Sequence, residues 1–140
     1  MTNQCLFCNS KNARVRRERL DVPYKDTTVR VRGFETTLCS DCGEAYATTV
    51  QSRGNDRRVA DAKREYDGVQ TSDEVRALRE SWGMTQQEAS EIFGGGANSF
   101  SKYERGEVAP SAAMSMLLRV YDKFPQVREF ILSQRLADRT

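Results

Sequence analysis

The sequence lacks several features that would point to an enzyme or to a membrane protein. It contains no histidine among its 140 residues, so the side chain most often used as a general base or to activate a nucleophile is missing. No apolar run approaches the ~20 residues that a membrane-spanning helix needs. The N-terminal stretch MTNQCLFCNS lacks the charged start and the apolar run of a signal peptide. We therefore expect a cytoplasmic protein that is not an enzyme and has no membrane partner.

The composition that remains is globular but polar, with 38% apolar and 30% charged residues. A chain of this length forms one ordinary domain or two small ones. The net charge is only +2, yet the segment from Lys11 to Arg32 carries eight basic and three acidic residues. A basic segment of this kind can attract nucleic acid or an acidic partner. The simpler interpretation is a solvated strand face, and the sequence leaves both interpretations open.

All four cysteines lie before residue 43, as two Cys-x-x-Cys pairs separated by 30 residues. A disulfide framework is disfavoured in a reducing compartment, and a thioredoxin-like redox motif uses a single pair. Zinc prefers thiolate ligands, and the x-x spacing lets both sulfurs of a pair turn toward one ion. We therefore predict one structural Zn²⁺ per chain, without an open coordination position for catalysis. The predicted ligands are Cys5, Cys8, Cys39 and Cys42.

The segment between the cysteine pairs has the pattern of β-strands. Residues 27–34, TTVRVRGF, alternate valine with arginine, which is the period of a half-buried strand. Residues 13–20, ARVRRERL, are a weaker candidate, and Pro23 is expected to separate the two strands. A domain this small buries little apolar surface and needs an additional cross-link, such as a bound metal ion, to be stable. We therefore predict a small β-rich, zinc-ribbon-like domain that the metal holds together.

The second half of the chain has a helical pattern. Residues 51–70 are mostly polar and predict a connector helix with a thin apolar stripe, ended by Gly68. Capping boxes in TSDE and TQQE then mark the starts of two further helices. The sequence thus predicts two domains. Residues 1–68 form the zinc-binding domain with its connector helix, and residues 69–140 form an all-α domain of five helices.

The run TQQEASEIFGGGANSFSKYERG predicts a helix, a tight turn and a second helix from Ala97 to about Arg105. The turn of a helix-turn-helix needs backbone angles that glycine tolerates best. We therefore predict a helix-turn-helix DNA-binding domain, with an ordinary helical hairpin as the alternative. The inward side of the second helix is expected to carry Ala97, Phe100, Tyr103 and Glu104.

The polar side of this motif carries the candidate DNA contacts. Asparagine can pair bidentately with adenine, and lysine can reach guanine or a phosphate. Two glutamines begin the preceding helix, where side chains commonly meet the sugar–phosphate backbone. The predicted DNA-contacting residues are Asn98, Lys102, Ser101, Arg105, Gln86, Gln87 and Ser99.

Five stretches of the sequence match a known family: CLFC, VPY, CSDCGE, TQQEASEIFGGGANSFSKYERG and LLRVYDKFP. On these stretches the chain resembles the MqsA-type antitoxins of bacterial toxin–antitoxin systems. Such proteins join a YgiT-type zinc finger to a helix-turn-helix of the Xre/Cro type. The resemblance spans nearly the whole chain and is weakest in residues 44–70.

The resemblance implies a function for each domain. The N-terminal domain would bind one structural zinc and engage a cognate toxin, which is an mRNA-cleaving RNase in the best-known members. The C-terminal domain would form a homodimer and bind a palindromic operator in double-stranded DNA. Asn98 and Lys102 match the residues with which the family reads bases. The family often has arginine at the second position, and lysine lacks the bidentate fork of arginine, so we expect a different base preference there.

Other functions also fit parts of the sequence. A stand-alone Xre-type repressor would bind DNA and carry a structural or sensory zinc domain without any toxin. A zinc-dependent or dithiol enzyme is disfavoured because histidine and an open ligand set are missing, and a zinc ribbon that binds RNA through its arginines is a further alternative. Candidates for the dimer contact, which could instead belong to the core of their own domain, are Met116, Val120, Phe130 and Ile131.

Overall fold

The computed structural model describes residues 4–138, which form two compact units. The first unit extends to Lys63 and the second begins at Arg64. The first contains β1 (Ala13–Tyr24), β2 (Thr27–Cys39), β3 (Ala45–Tyr46) and most of α1 (Thr49–Asp67). The second contains the last turn of α1, followed by α2 (Ser72–Ser81), α3 (Gln86–Phe93), α4 (Ser99–Arg105), α5 (Ala112–Lys123) and α6 (Pro125–Ala137).

The number of helices differs slightly from the prediction. The described part of the chain has six helices, and α1, the connector, ends inside the second unit. That unit therefore holds five complete helices and the end of a sixth. The boundary between the units lies inside α1, between Lys63 and Arg64. The polar sequence of this helix contains no feature that would have predicted it. None of the helices that the structure describes is long and apolar enough to cross a membrane.

β1 and β2 form a long antiparallel hairpin, and β3 pairs with the end of β2, which gives the order β1-β2-β3. The hairpin turns after Tyr24. Pro23, which was expected to lie between the strands, lies inside β1 opposite Thr28, so this prediction is wrong. Proline has no N–H to donate, but it is tolerated on an edge strand, and β1 lies at the edge of the sheet.

The first unit buries few apolar side chains, and amide groups hold α1 to its sheet. Asn55 accepts a hydrogen bond from the backbone N–H of Glu35 and donates one to the C=O of Glu35, both at 2.8 Å. Gln51 accepts from the Thr37 hydroxyl at 3.0 Å. The buried apolar residues of the described part of this unit are Cys5, Ala13, Val29, Val31 and Cys39. Two of these five are cysteines, so the apolar core of this unit is small even when the thiols are counted.

The second unit has a continuous aromatic and aliphatic core. Its buried apolar residues are Val75, Ala89, Phe93, Phe100, Tyr103, Leu118 and Tyr121. Trp82, the only tryptophan of the chain, packs against this core. Its ring centroid lies 4.7 Å from that of Tyr121 and 5.5 Å from that of Phe93. The fluorescence of Trp82 therefore reports on the folding of the second unit.

The helix ends agree with the capping signals in the sequence. The Thr85 hydroxyl accepts from the backbone N–H of Glu88 at 3.1 Å, and the Glu88 carboxylate accepts from the N–H of Thr85 at 3.0 Å, which closes a capping box. The Thr71 hydroxyl accepts from the N–H of Glu74 at 3.3 Å. α1 ends directly before Gly68, as predicted.

Candidate metal centre and nucleic-acid interface

Each cysteine pair lies on a tight turn. In the first turn, the backbone N–H of Asn9 donates to the C=O of Cys5 at 3.0 Å. In the second, the N–H of Gly43 donates to the C=O of Cys39 at 2.9 Å. The residue after each pair has a left-handed φ, 60° at Asn9 and 77° at Gly43. The sheet brings these two similar turns together, because Cys39 at the end of β2 pairs with Ala13 at the start of β1.

The four sulfur atoms form one compact cluster. All lie within 4.8 Å of one another. The distance between Cys5 Sγ and Cys42 Sγ is 3.6 Å, and that between Cys8 Sγ and Cys39 Sγ is 3.7 Å. A tetrahedral zinc ion with Zn–S bonds of about 2.3 Å requires sulfurs about 3.8 Å apart. The predicted ligands therefore lie together in an arrangement suited to a metal ion.

The pKa values of Cys5 and Cys42 are shifted in opposite directions. Burial raises the pKa of Cys5, but hydrogen bonds from the backbone at Cys8 and Phe7 and from neighbouring thiols outweigh burial and lower that pKa to about 6. The backbone at Glu44 lowers the pKa of Cys42, but burial and contacts with the other thiols raise it to about 12. The Cys5 thiol is therefore deprotonated more readily than the Cys42 thiol. A cation bound by all four sulfurs would displace these protons.

Several side chains around the cluster support it without any signal in the sequence. The Asp41 carboxylate accepts hydrogen bonds from the Ser10 hydroxyl and from the Asn12 amide, which tie the second turn to the first. These bonds lower the pKa of Asp41. The Tyr46 hydroxyl accepts from the backbone N–H of Leu6 at 3.2 Å. Such contacts depend on which residues the fold places opposite each other, so only the structure identifies them.

The turn between α3 and α4 runs through three consecutive glycines with positive φ. The angle is 83° at Gly94, 88° at Gly95 and 106° at Gly96. Residues with a side chain rarely adopt such positive φ angles, and doing so costs roughly 1–3 kcal/mol each. The backbone path of the turn therefore requires the glycines, which agrees with the tight turn predicted from the sequence.

We expect Gly95→Ala to destabilise the second unit more than Gly94→Ala. A Cβ at Gly95 would lie 3.1 Å from the Tyr103 hydroxyl and 3.3 Å from Ser99 Cβ, whereas a Cβ at Gly94 meets nothing within 4 Å. Both variants should lose roughly 1–3 kcal/mol of unfolding free energy to backbone strain, and Gly95→Ala should lose about 1 kcal/mol or more in addition because of the new contacts. Urea unfolding followed by Trp82 fluorescence measures both losses. Equal losses would show that the added contacts at Gly95 cost nothing.

Two buried serines fix the start of α4 against α3. The Ser99 hydroxyl lies 3.2 Å from the Ser90 hydroxyl and 3.0 Å from the C=O of Gly94. The Ser90 hydroxyl accepts from the backbone N–H of Phe100 at 3.3 Å. Ser99 is 5% exposed. Its side chain therefore supports the turn and does not reach the surface, where the sequence places a DNA contact.

α4 begins at Ser99 rather than at Ala97, because the positive φ of Gly96 prolongs the turn. Ala97 is exposed, and the prediction that it faces inward is wrong. The other residues expected on the inward side are buried, as predicted. They are Phe100, Tyr103 and Glu104.

The remaining candidates for DNA contact lie near the surface of the helix-turn-helix, but not all in one place. Asn98 is exposed and its side chain makes no capping hydrogen bond to α4. Lys102 and Arg105 are exposed on α4, and Arg105 Nε lies 3.0 Å from a carboxylate oxygen of Glu107. The structure brings four candidates together with three neighbours in one shallow groove. This groove is lined by Gln86, Gln87, Ser90, Glu91, Ala97, Asn98 and Ser101.

A buried ion pair joins α4 to α2. Both carboxylate oxygens of the fully buried Glu104 accept hydrogen bonds from Arg79, from Nε and from Nη2, each at 2.8 Å. Arg76 Nε lies 3.4 Å from the same carboxylate, and the Gln86 side chain also bonds to it. Burial raises the pKa of Glu104, but these hydrogen bonds outweigh burial and hold the pKa below its ordinary value. One feature of the sequence could have predicted this ion pair. Glu104 was expected on the inward side of α4, and a buried carboxylate needs a cationic partner.

The second unit is not basic overall. From Arg64 onward the sequence has ten basic and twelve acidic residues, whereas residues 1–63 have twelve basic and eight acidic ones. A nucleic-acid interface in the second unit therefore depends on the local arrangement of its side chains and not on net charge.

Two comparisons with known proteins identify the family. The sequence model of a family described as the antitoxin component of bacterial toxin–antitoxin systems, MqsA, matches residues 3–131. Antitoxin MqsA from Escherichia coli (strain K12) is 33% identical over 110 residues, which cover 76% of this chain and 84% of that relative. The resemblance found in the sequence is thereby confirmed, and the chain belongs to the MqsA family of bacterial antitoxins.

Proposed function

We propose that this antitoxin neutralises a cognate toxin through its N-terminal domain, residues 1–68, and represses its own operon through its C-terminal domain, residues 69–140. The toxin is an mRNA-cleaving RNase, and the antitoxin itself acts in the cytoplasm without catalysing a reaction. Family membership supports the pairing with a toxin. The observation that carries repression is the helix-turn-helix, which buries one side of α4 and keeps polar side chains on the other.

The proposed roles of these side chains follow from their chemistry and position. Asn98 pairs with an adenine, and Lys102 bonds to a guanine or to a phosphate. The exposure of both residues supports these roles. The sugar–phosphate backbone is bound by Ser101, Arg105, Gln86 and Gln87. Sequence specificity is thereby assigned to Asn98 and Lys102, and positioning on the DNA to the other four.

The operator is proposed to be palindromic and to be bound by a homodimer that forms through the C-terminal domain. The recognition helices of such a dimer lie about 34 Å apart, in successive major grooves. Phe130 and Met116 are 63% and 55% exposed, which supports a dimer contact at these residues. Ile131 packs against the core of its own unit, which favours the intradomain alternative for that residue.

The metal of the four-cysteine cluster is proposed to be one structural Zn²⁺ per chain. The sulfur spacing and the all-thiolate ligand set support zinc. The protein would supply all four ligands of a tetrahedral ion, so no position is left for a catalytic water. The ion would hold the two turns and the ends of the β1–β2 hairpin together.

We expect Asn98→Ala to weaken binding to the operator by about 1–3 kcal/mol without unfolding the protein, because one bidentate base contact is lost. Binding is measured with a DNA fragment from the promoter of the gene that encodes this chain. Gln126→Ala, which removes an exposed amide from α6 of the same unit, is the matched control and should bind like the parent. Equal affinity of the Asn98 variant and the parent would refute the role given to Asn98.

The toxin is tested by purifying the tagged chain from its native host and identifying bound proteins by mass spectrometry. A small stoichiometric partner whose nuclease activity this chain blocks would support neutralisation. DNA binding in the absence of any such partner would instead favour the stand-alone repressor.

A further inference from the structure

We infer that Arg64, in the last turn of α1, is a positioning residue for DNA recognition that holds the C-terminal end of α4. The inference rests on the proposed DNA-binding function. It assigns a role in recognition to a residue that lies outside the helix-turn-helix and that does not touch DNA.

The contacts of Arg64 join it to the end of α4. Its side chain is buried, with 2% of the residue exposed. Nη1 donates to the C=O of Tyr103 at 2.8 Å, and Nη2 donates to the C=O of Val108. Tyr103 lies in the last turn of α4, and Val108 lies in the segment that leaves it. The guanidinium thus bridges the helix end and the following chain, at a place where the helix dipole favours a cation.

α4 depends on such contacts for its orientation. It has seven residues, and helices of this length are not stable in isolation. Ser99 holds its start through Ser90, and Glu104 holds its side through Arg79. At its C-terminal end, the backbone is held by Arg64.

The hydrogen bond from Arg64 to the C=O of Tyr103 matters for recognition because Tyr103 follows a proposed DNA-contacting residue. Lys102, proposed to bond to a guanine or a phosphate, directly precedes Tyr103, whose C=O accepts from Arg64. A shift at the end of α4 would therefore displace Lys102 from its base without removing any side chain that touches DNA. Since Arg64 is buried, its loss should reduce discrimination between DNA sequences and leave salt-dependent binding to the phosphates unchanged.

The experiment measures the affinity of the full chain for two DNA fragments of equal length. One carries the promoter of the gene that encodes this chain, and the other is unrelated. In Arg64→Ala the ratio of the two affinities should fall roughly tenfold, as for the loss of one base contact. Arg64→Lys should give an intermediate ratio, because lysine lacks the fork that reaches both carbonyls. Arg119→Ala is the matched control, since Arg119 also donates to a backbone C=O in this unit, that of Gly68, and should keep the parent ratio.

Each outcome decides the matter. An unchanged ratio in an Arg64→Ala chain that Trp82 fluorescence shows to be folded would overturn the inference. A fall in affinity for both fragments, with a salt slope lower by about 1, would make Arg64 a phosphate contact instead. If Arg64→Ala does not fold, a parent-like ratio in Arg64→Lys would overturn the inference. A parent that binds both fragments equally, or neither, would refute the proposed operator binding and the inference with it.

Discussion

Replacing Cys39 with serine is expected to release the metal and to unfold the N-terminal unit while the helical unit stays folded. Cys39 is fully buried and joins the end of β2 to the sulfur cluster. The buried apolar set of this unit is small, and two of its members are cysteines. Little else would hold the β1–β2 hairpin and the two turns together.

The size of this effect follows from the energies involved. Structural zinc contributes an apparent free energy of about 10–16 kcal/mol in zinc-finger peptides, whereas whole domains are stable by only about 5–15 kcal/mol. A unit with so few buried apolar residues should not survive the loss of that contribution. The helical unit has its own aromatic core and should be unaffected.

Three measurements check this expectation on the same sample. Elemental analysis of the reduced parent should find one zinc per chain, and none in the Cys39→Ser variant. Hydrogen exchange should show loss of protection in β1 and β2, while Trp82 fluorescence keeps its parent urea transition. Ser40→Ala is the control, because it changes the exposed neighbour of Cys39 and should keep the metal. A Cys39→Ser chain that retains zinc and a protected hairpin would rule out the four-cysteine site.

Replacing Arg79 with alanine is expected to destabilise the helical unit by about 3–5 kcal/mol, the usual cost of leaving a buried charge without its partner. The side chain of Arg79 is 12% exposed and that of Glu104 is fully buried. Arg79 also donates from Nη1 to the C=O of Met84 at 2.7 Å, so the variant loses a second contact. Because Glu104 belongs to α4, the same variant should also weaken operator binding.

The neighbouring Arg76 provides a matched control for this prediction. It lies on the same helix and 3.4 Å from the same carboxylate, but its side chain is 48% exposed. Arg76→Ala should therefore cost no more than about 1 kcal/mol, because Arg76 is half exposed to solvent and Arg79 still pairs with Glu104. Urea unfolding followed by Trp82 fluorescence compares the two variants. Similar losses would mean that the burial of Arg79 adds nothing to the pair.

The same ion pair makes stability depend on pH. Since the folded pKa of Glu104 is depressed, its stabilisation is complete above the unfolded value of about 4.3 and is lost as the pH falls below it toward the folded pKa. In acid, the parent should therefore lose unfolding free energy more steeply than Glu104→Gln, which carries no titrating group at this position. Parallel pH profiles for the two chains would contradict this assignment.

The parts of the fold that the sequence predicts are those with a local cause. The capping box at Thr85 and the turn at the three glycines are each determined by a few consecutive residues. The cysteine spacing does the same for the cluster, because two short turns can be recognised without knowing the rest of the fold. The family resemblance added the antitoxin role, which no single residue carries.

The rest depends on contacts between distant residues. Pro23 is tolerated inside β1 because β1 is an edge strand. The position of a strand in its sheet cannot be read from the VPY sequence. Arg64 and Tyr103 lie far apart in the chain, and a buried arginine looks like any other arginine of a polar helix. Ala97 was expected to face inward because α4 was expected to begin there, but the turn continues past Gly96 and α4 begins only at Ser99.

The amide contact between Asn55 and Glu35 limits how the sheet can grow. Asn55 occupies the backbone N–H and C=O of Glu35 on β2, where the strand of another molecule could otherwise add. Within the described residues, β1 is one edge strand of the sheet, and it is rich in arginine. Two copies that met edge to edge would bring these positive charges together, which disfavours pairing. The amide group at Glu35 and the charges of β1 should both disfavour the addition of a strand from another molecule.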